Sequence, residues 1–157
     1  MGFLNKAHTT KKVITGEHAR IYIEIDGGQR SKSFSIKISA ESSLHDIEVK
    51  RIYLEVRGRE EIEIPDTEVL YDKGSVVERR RETIHASHTT VASEYPVEDS
   101  VTLKAGQQHE WVLDITLPKS AEPTYHGRYC QHRYVARAIL DCYGDKPNSG
   151  WRELIVE

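Results

Sequence analysis

Apolar residues recur at every second position along most of this chain, a spacing that suits strands and excludes amphipathic helices. Ile21, Ile23 and Ile25 alternate with Tyr22 and Glu24, and Phe34, Ile36 and Ile38 alternate with Ser35 and Lys37. Trp111, Leu113, Ile115 and Leu117 form a third set, and Tyr134, Ala136, Ala138 and Leu140 a fourth. Strands with one apolar face must cover it, most simply with a second sheet. The expected fold is therefore all-β, a two-sheet antiparallel β-sandwich of about seven to nine strands. A chain of 157 residues fits one domain and can build a core without disulfide or metal support.

Between Asp46 and Glu63 the alternation changes phase. Ile47 and Val49 are odd-numbered, whereas Ile52, Leu54 and Val56 are even-numbered. One extra residue around Lys50 and Arg51 would keep a single buried face, which predicts a β-bulge; a break into two strands is the alternative. Turn signals are Asp26-Gly27-Gly28, Gly58, Pro65-Asp66, Lys73-Gly74-Ser75, Lys104-Ala105-Gly106 and the segment 143–147. Pro65-Asp66 and Lys73-Gly74-Ser75 are expected to bracket a polar connection. Residues 41–45 suit a turn between strands. Residues 1–12 lack pattern and are expected to fray, leaving 13–157 as one sandwich domain.

Charge and composition narrow the function. With 22 basic and 25 acidic side chains, the net charge of −3 gives no general attraction to nucleic acid or anionic membrane. No apolar run approaches the roughly 18 residues of a membrane helix, and the first residues lack an export core. A cytoplasmic location is expected. Cys130 and Cys142 fall in one extended segment, about 40 Å apart, too far for a disulfide. They are expected to be free thiols.

No catalytic or metal pattern emerges. The eight histidines are His8, His18, His45, His85, His88, His109, His126 and His132. Their spacing on strands does not converge on an ion, and no HExxH or Cys-His pattern is present. No strained serine elbow appears, and Cys130 and His132 lack an orienting acid. No glycine-rich phosphate cradle occurs. No cofactor, metal or catalytic residue is expected, and the chain reads as a non-enzyme.

Leu103, Gly106, the strand from Trp111 to Leu117-Pro118, the turn Pro123-Thr124-Tyr125-His126-Gly127 and the strand from Arg133 to Leu140 together resemble the amino-terminal domain of the arrestin-like superfamily. The segment from Ile52 to Gly58 is similar to another strand of that family. The opening residues look like the start of bacterial sporulation-control proteins, which share the fold. The resemblance implies an arrestin-like, immunoglobulin-like sandwich acting as a non-catalytic adaptor or regulatory protein-binding module. Arrestin-like proteins commonly carry two sandwiches, and the charged core spanning both is not carried over. Residue physics supports the motif: Pro118 and Pro123 stop strand pairing where the chain crosses between sheets. Gly127 suits a positive-φ turn, and Tyr125 suits a buried ring with a bonded hydroxyl.

Two surfaces are expected to bind a protein partner. Arg79 and Arg81 share one face of a charged strand (Glu-Arg-Arg-Arg-Glu, 78–82) whose charges also protect an exposed edge. The second is the loop of Tyr125, His126 and Arg128. A homodimer through a sheet edge or face is a further expectation, with an edge-protected monomer as its alternative. The other function class is a carbohydrate-binding sandwich using Trp151 and Tyr143 as platform, with Trp111 turned inward.

Overall fold

The computed structural model describes residues 19–26, 32–42 and 44–157. Residues 1–12, His8, His18 and the Gly27-Gly28 pair lie outside the described residues. Among the described residues the chain forms nine strands and no helix. They are β1 (Ala19–Ile25), β2 (Ser33–Ser42), β3 (Ile47–Asp72), β4 (Ser75–Glu98), β5 (Val101–Leu103), β6 (Gln108–Thr116), β7 (Tyr125–His126), β8 (Cys130–Cys142) and β9 (Arg152–Leu154). All strand pairs are antiparallel. A smaller sheet has the order β1-β2-β6, and a larger one the order β4-β3-β8-β7, with β5 on β3 and β9 on β8.

The period-two residues build the core. Ile21, Ile23, Phe34, Ile36, Ile38 and Ile115 from the smaller sheet meet Ile52, Leu54, Val56, Tyr134, Ala136 and Leu140 from the larger. Each fully buried Ile or Leu contributes about 1.5–3 kcal/mol relative to exposure. The bulge sits where the phase shift places it. Val49 pairs with Cys142 and Arg51 with Asp141, so Lys50 is the extra residue. Val49 and Ile52 are both buried as a result, while Lys50 and Arg51 face solvent.

After β6 the chain leaves the smaller sheet, passes Pro118 and Pro123, and enters the larger sheet at β7. This crossing is held from β8. The Tyr134 hydroxyl donates to the Glu122 carbonyl at 2.6 Å. His132 is buried, with Nδ1 3.0 Å from the Pro123 carbonyl and Nε2 2.6 Å from the Thr90 hydroxyl. A carbonyl only accepts, so Nδ1 carries the proton and Nε2 accepts from Thr90. Both ring nitrogens are occupied, which rules out a Cys130–His132 dyad here.

Several expectations are corrected. Gly58 does not end a strand; it lies inside β3, opposite Tyr134 on β8 and Val91 on β4. A Cβ there would stand 2.7 Å from both Tyr134 Cε1 and Thr90 Oγ1, so the glycine admits the tyrosine ring. Pro65-Asp66 is not a turn either, since β3 runs on to Asp72. Proline is tolerated because β3 loses β8 as a neighbour after Ile62 and becomes an edge. Tyr125 is 51% exposed and not buried, while Tyr134 is fully buried, as its place in the inward set requires. Gly127 lacks positive φ, and the space above it is filled by the Tyr125 ring.

Beyond Ile62, β3 and β4 continue as a two-stranded arm. Ten residues at roughly 3.3 Å each carry it about 30 Å past the sheet. Its tip is a two-residue turn between paired Asp72 and Ser75. Lys73 and Gly74 there have φ of 49° and 80°, the geometry whose twist matches a hairpin.

Candidate protein-interaction surface

Register decides which side chains meet at the base of this arm. Odd-numbered residues of β3 past the bulge face away from the core. Arg59 and Glu61 on that face form an ion pair at 3.0 Å. Arg59 also donates to Ser87 Oγ at 3.0 Å, and Gln131 donates to Glu61 at 2.7 Å. Three strands are thereby cross-linked on the solvent side. Next to this network the β7–β8 turn closes a cleft of about 410 Å³ lined by Arg59, Glu61, Glu63, His85, His126 and Arg128, among others. The turn is tied to the arm by the Glu63 amide bonded to the Tyr129 carbonyl at 2.8 Å. The Arg128 guanidinium lies 5.2 Å from the Tyr129 ring centre.

The five residues singled out from sequence divide into three places. His126 and Arg128 line the cleft. Tyr125 faces Cys130, whose hydrogen bond holds the phenol above its usual pKa. Arg79 and Arg81 share the outward face, as expected, opposite Val69 and Thr67. They stand farther along the arm, Arg81 four residues beyond His85, or about 13 Å. Arg80 points to the other face and pairs with Glu78 at 2.9 Å. The charged run is on an edge strand, with β3 the sole neighbour of β4 among the described residues. Arg59, Glu61, Glu63 and His85 were not singled out; only the β3–β4 register brings them together.

The aromatic pair considered for sugar binding is not assembled. Trp151 precedes β9, which pairs with 134–136 of β8, whereas Tyr143 follows the far end of β8, roughly 20 Å away. Arg137 and Arg57 already stand 4.3 and 5.2 Å from the Trp151 ring centre, and Lys50 4.5 Å from that of Tyr143. Trp111 is partly buried against the core. Among the described residues no three His, Cys, Asp or Glu side chains group to hold a metal. No described helix is long and apolar enough to cross a membrane.

Both cysteines are free thiols, and their environments differ. Burial, then Asp145 and Asp141, push Cys142 up to about 11 from 9.0, while Cys130 is half-exposed. The thiolate is the reactive form. At pH 8 a disulfide reagent is expected to titrate Cys130 rapidly in the folded protein and Cys142 only after denaturation. The stability contributed by the neutral Cys142 thiol is complete below pH 9 and lost as pH rises toward 11. Equal rates at both thiols would contradict this assignment.

The family model for the arrestin (or S-antigen) N-terminal domain matches residues 34–156. The chain belongs to that family. Among solved structures, the arrestin-family sandwich described here resembles the sporulation control protein Spo0M from Bacillus subtilis. The TM-score is 0.59 at 15% identity, over 89% of this chain and 49% of that one. The likeness is one of fold, and the chain spans about half the length of that structure. A search of curated proteins found no match.

Proposed function

We propose that this arrestin-family chain is a non-catalytic, cytoplasmic adaptor or regulatory module, with residues 13–157 as one sandwich. Its docking surface is the outward face of the arm, Arg79 and Arg81, together with the turn of Tyr125, His126 and Arg128. One observation carries this: an arm of about 30 Å whose side chains are nearly all exposed adds little to the core, and it leads from a cleft of mixed charge. Exposed, ordered side chains with no packing role are the usual raw material of recognition. The Bacillus subtilis protein of the same fold is a sporulation control protein, and regulation through binding is the class we take over.

The test is affinity capture from native lysate with wild type, Arg79→Glu and His126→Ala/Arg128→Glu. Proteins retained by wild type and lost by both variants are expected. Identical capture by all three would remove this surface from consideration.

A further inference from the structure

Among the described residues the outer edge of β4 pairs with no other strand, and its chemistry changes abruptly along the strand. Residues 78–82 are all charged, and Glu94, Pro96 and Glu98 guard the other end. Between them, residues 83–93 read Thr-Ile-His-Ala-Ser-His-Thr-Thr-Val-Ala-Ser, without Asp, Glu, Lys, Arg or Pro. An unpaired edge lacking charge or proline is a template for another strand. The far side of β8 shows the opposite treatment. It is covered by β7, by β9 and by bonds from Leu140 and Cys142 to the Pro147 and Asp145 carbonyls at 2.9 and 3.0 Å.

We propose that a second copy of this chain occupies the edge, the two β4 strands pairing antiparallel about a two-fold axis at Ser87. The bulge fixes the faces. Gly58 pairs with Val91 and Arg59 with Thr89, so Thr90 is the extra residue. Before it, odd-numbered residues of β4 face outward; after it, Ala92 and Glu94 do, opposite Arg57 and Glu55. A two-fold axis perpendicular to the sheet keeps each residue on its own face. With Ser87 on the axis, Ala86 meets His88 of the other copy and His85 meets Thr89. Ile84 then meets Val91 across the bulge, and Arg81 meets Glu94.

Apolar matching and charge together favour this register. It places Arg81 opposite Glu94 twice, opposes no like charges between residues 81 and 94, and buries Ile84, now 48% exposed, against Val91. Centring on Ala86 keeps an opposite-charge pair, Arg79 with Glu94, but sets Glu82 against Val91. Centring on His88 leaves Glu94 opposite Thr83 and Ile84 opposite Ser93. Cross-strand ion pairs and apolar pairs are the unit of sheet stabilisation. The pairing would join two larger sheets into one. It takes up Arg81 of the proposed docking face and borders the cleft at His85 and Ser87; its readout, the mass of the chain alone, is separate from capture of other proteins.

The experiment is a charge swap read by sedimentation velocity on the full chain. Wild type is expected at twice the 18.0 kDa monomer mass. Arg81→Glu and Glu94→Arg alone each put like charges opposite each other at both symmetric positions. Each is expected to raise the dissociation constant about tenfold or more. Arg81→Glu/Glu94→Arg is expected to restore the dimer. Both positions are exposed, and circular dichroism checks that each variant folds. A monomer at about 100 μM, where micromolar pairing would be complete, overturns the proposal. So does a dimer indifferent to the single reversals, or a double variant that stays dissociated. An edge that takes an extended peptide from another protein while the chain remains monomeric is equally a refutation.

Discussion

Replacing Tyr134 by alanine will lower the unfolding free energy by about 3–5 kcal/mol, the range for emptying a buried aromatic site. The ring is fully buried, packs edge-on against His132 with centres 4.7 Å apart, and covers Gly58. Its loss leaves a void between the sheets and deprives the Glu122 carbonyl of its donor. Urea titration should show a lower midpoint with an unchanged slope. Heating should show a midpoint lower by roughly 6–20 °C for a chain of this size. Tyr134→Phe keeps the ring and removes only the hydroxyl, at a cost of about 1–3 kcal/mol. A loss under about 1 kcal/mol for the alanine variant would mean that the sheets close over the site.

The complementary change, Gly58→Val, will destabilise by overfilling the same place. The added carbons must enter space occupied by Tyr134 and Thr90, both 2.7 Å from where the first would stand. Overpacking of this kind costs about 1–3 kcal/mol and sometimes more. The backbone at Gly58 is ordinary strand without positive φ, so the penalty comes from the neighbour and not from conformational strain. The two sites should therefore couple. With Tyr134 already alanine, valine at 58 fills the void, and the double-mutant cycle should yield at least about 1 kcal/mol of coupling. Additive losses would show that the ring and the glycine do not share this space.

That pair also marks how far the sequence could be read. Residues 49–52 revealed the bulge because the buried face changes parity within a single strand. The proline-bounded crossing was legible because proline cannot pair in a sheet interior. Gly58 was not legible, since a glycine after an apolar run marks either a turn or a close approach. The partner strand distinguishes the two. Tyr134 was legible as inward from its parity with Ala136, Ala138 and Leu140, whereas Tyr125, expected inside, lies exposed over Gly127. The outward pairing of Arg79 with Arg81 follows from their spacing alone. The meeting of Arg59, Glu61 and His85 beside Arg128 requires knowing that β3 and β4 pair across 21 residue pairs, and no local pattern carries that information.

The arm's construction makes its reach adjustable separately from the sandwich beneath it. Inserting two residues into each strand would move the tip outward by about 6–7 Å and leave each side chain on its original face. Inserting one in each would exchange the acidic and basic sides, presenting Glu78 and Glu82 where Arg79 and Arg81 had been. A family built on this plan can alter how far it extends by small even steps, and the sign of what it offers by a single odd one.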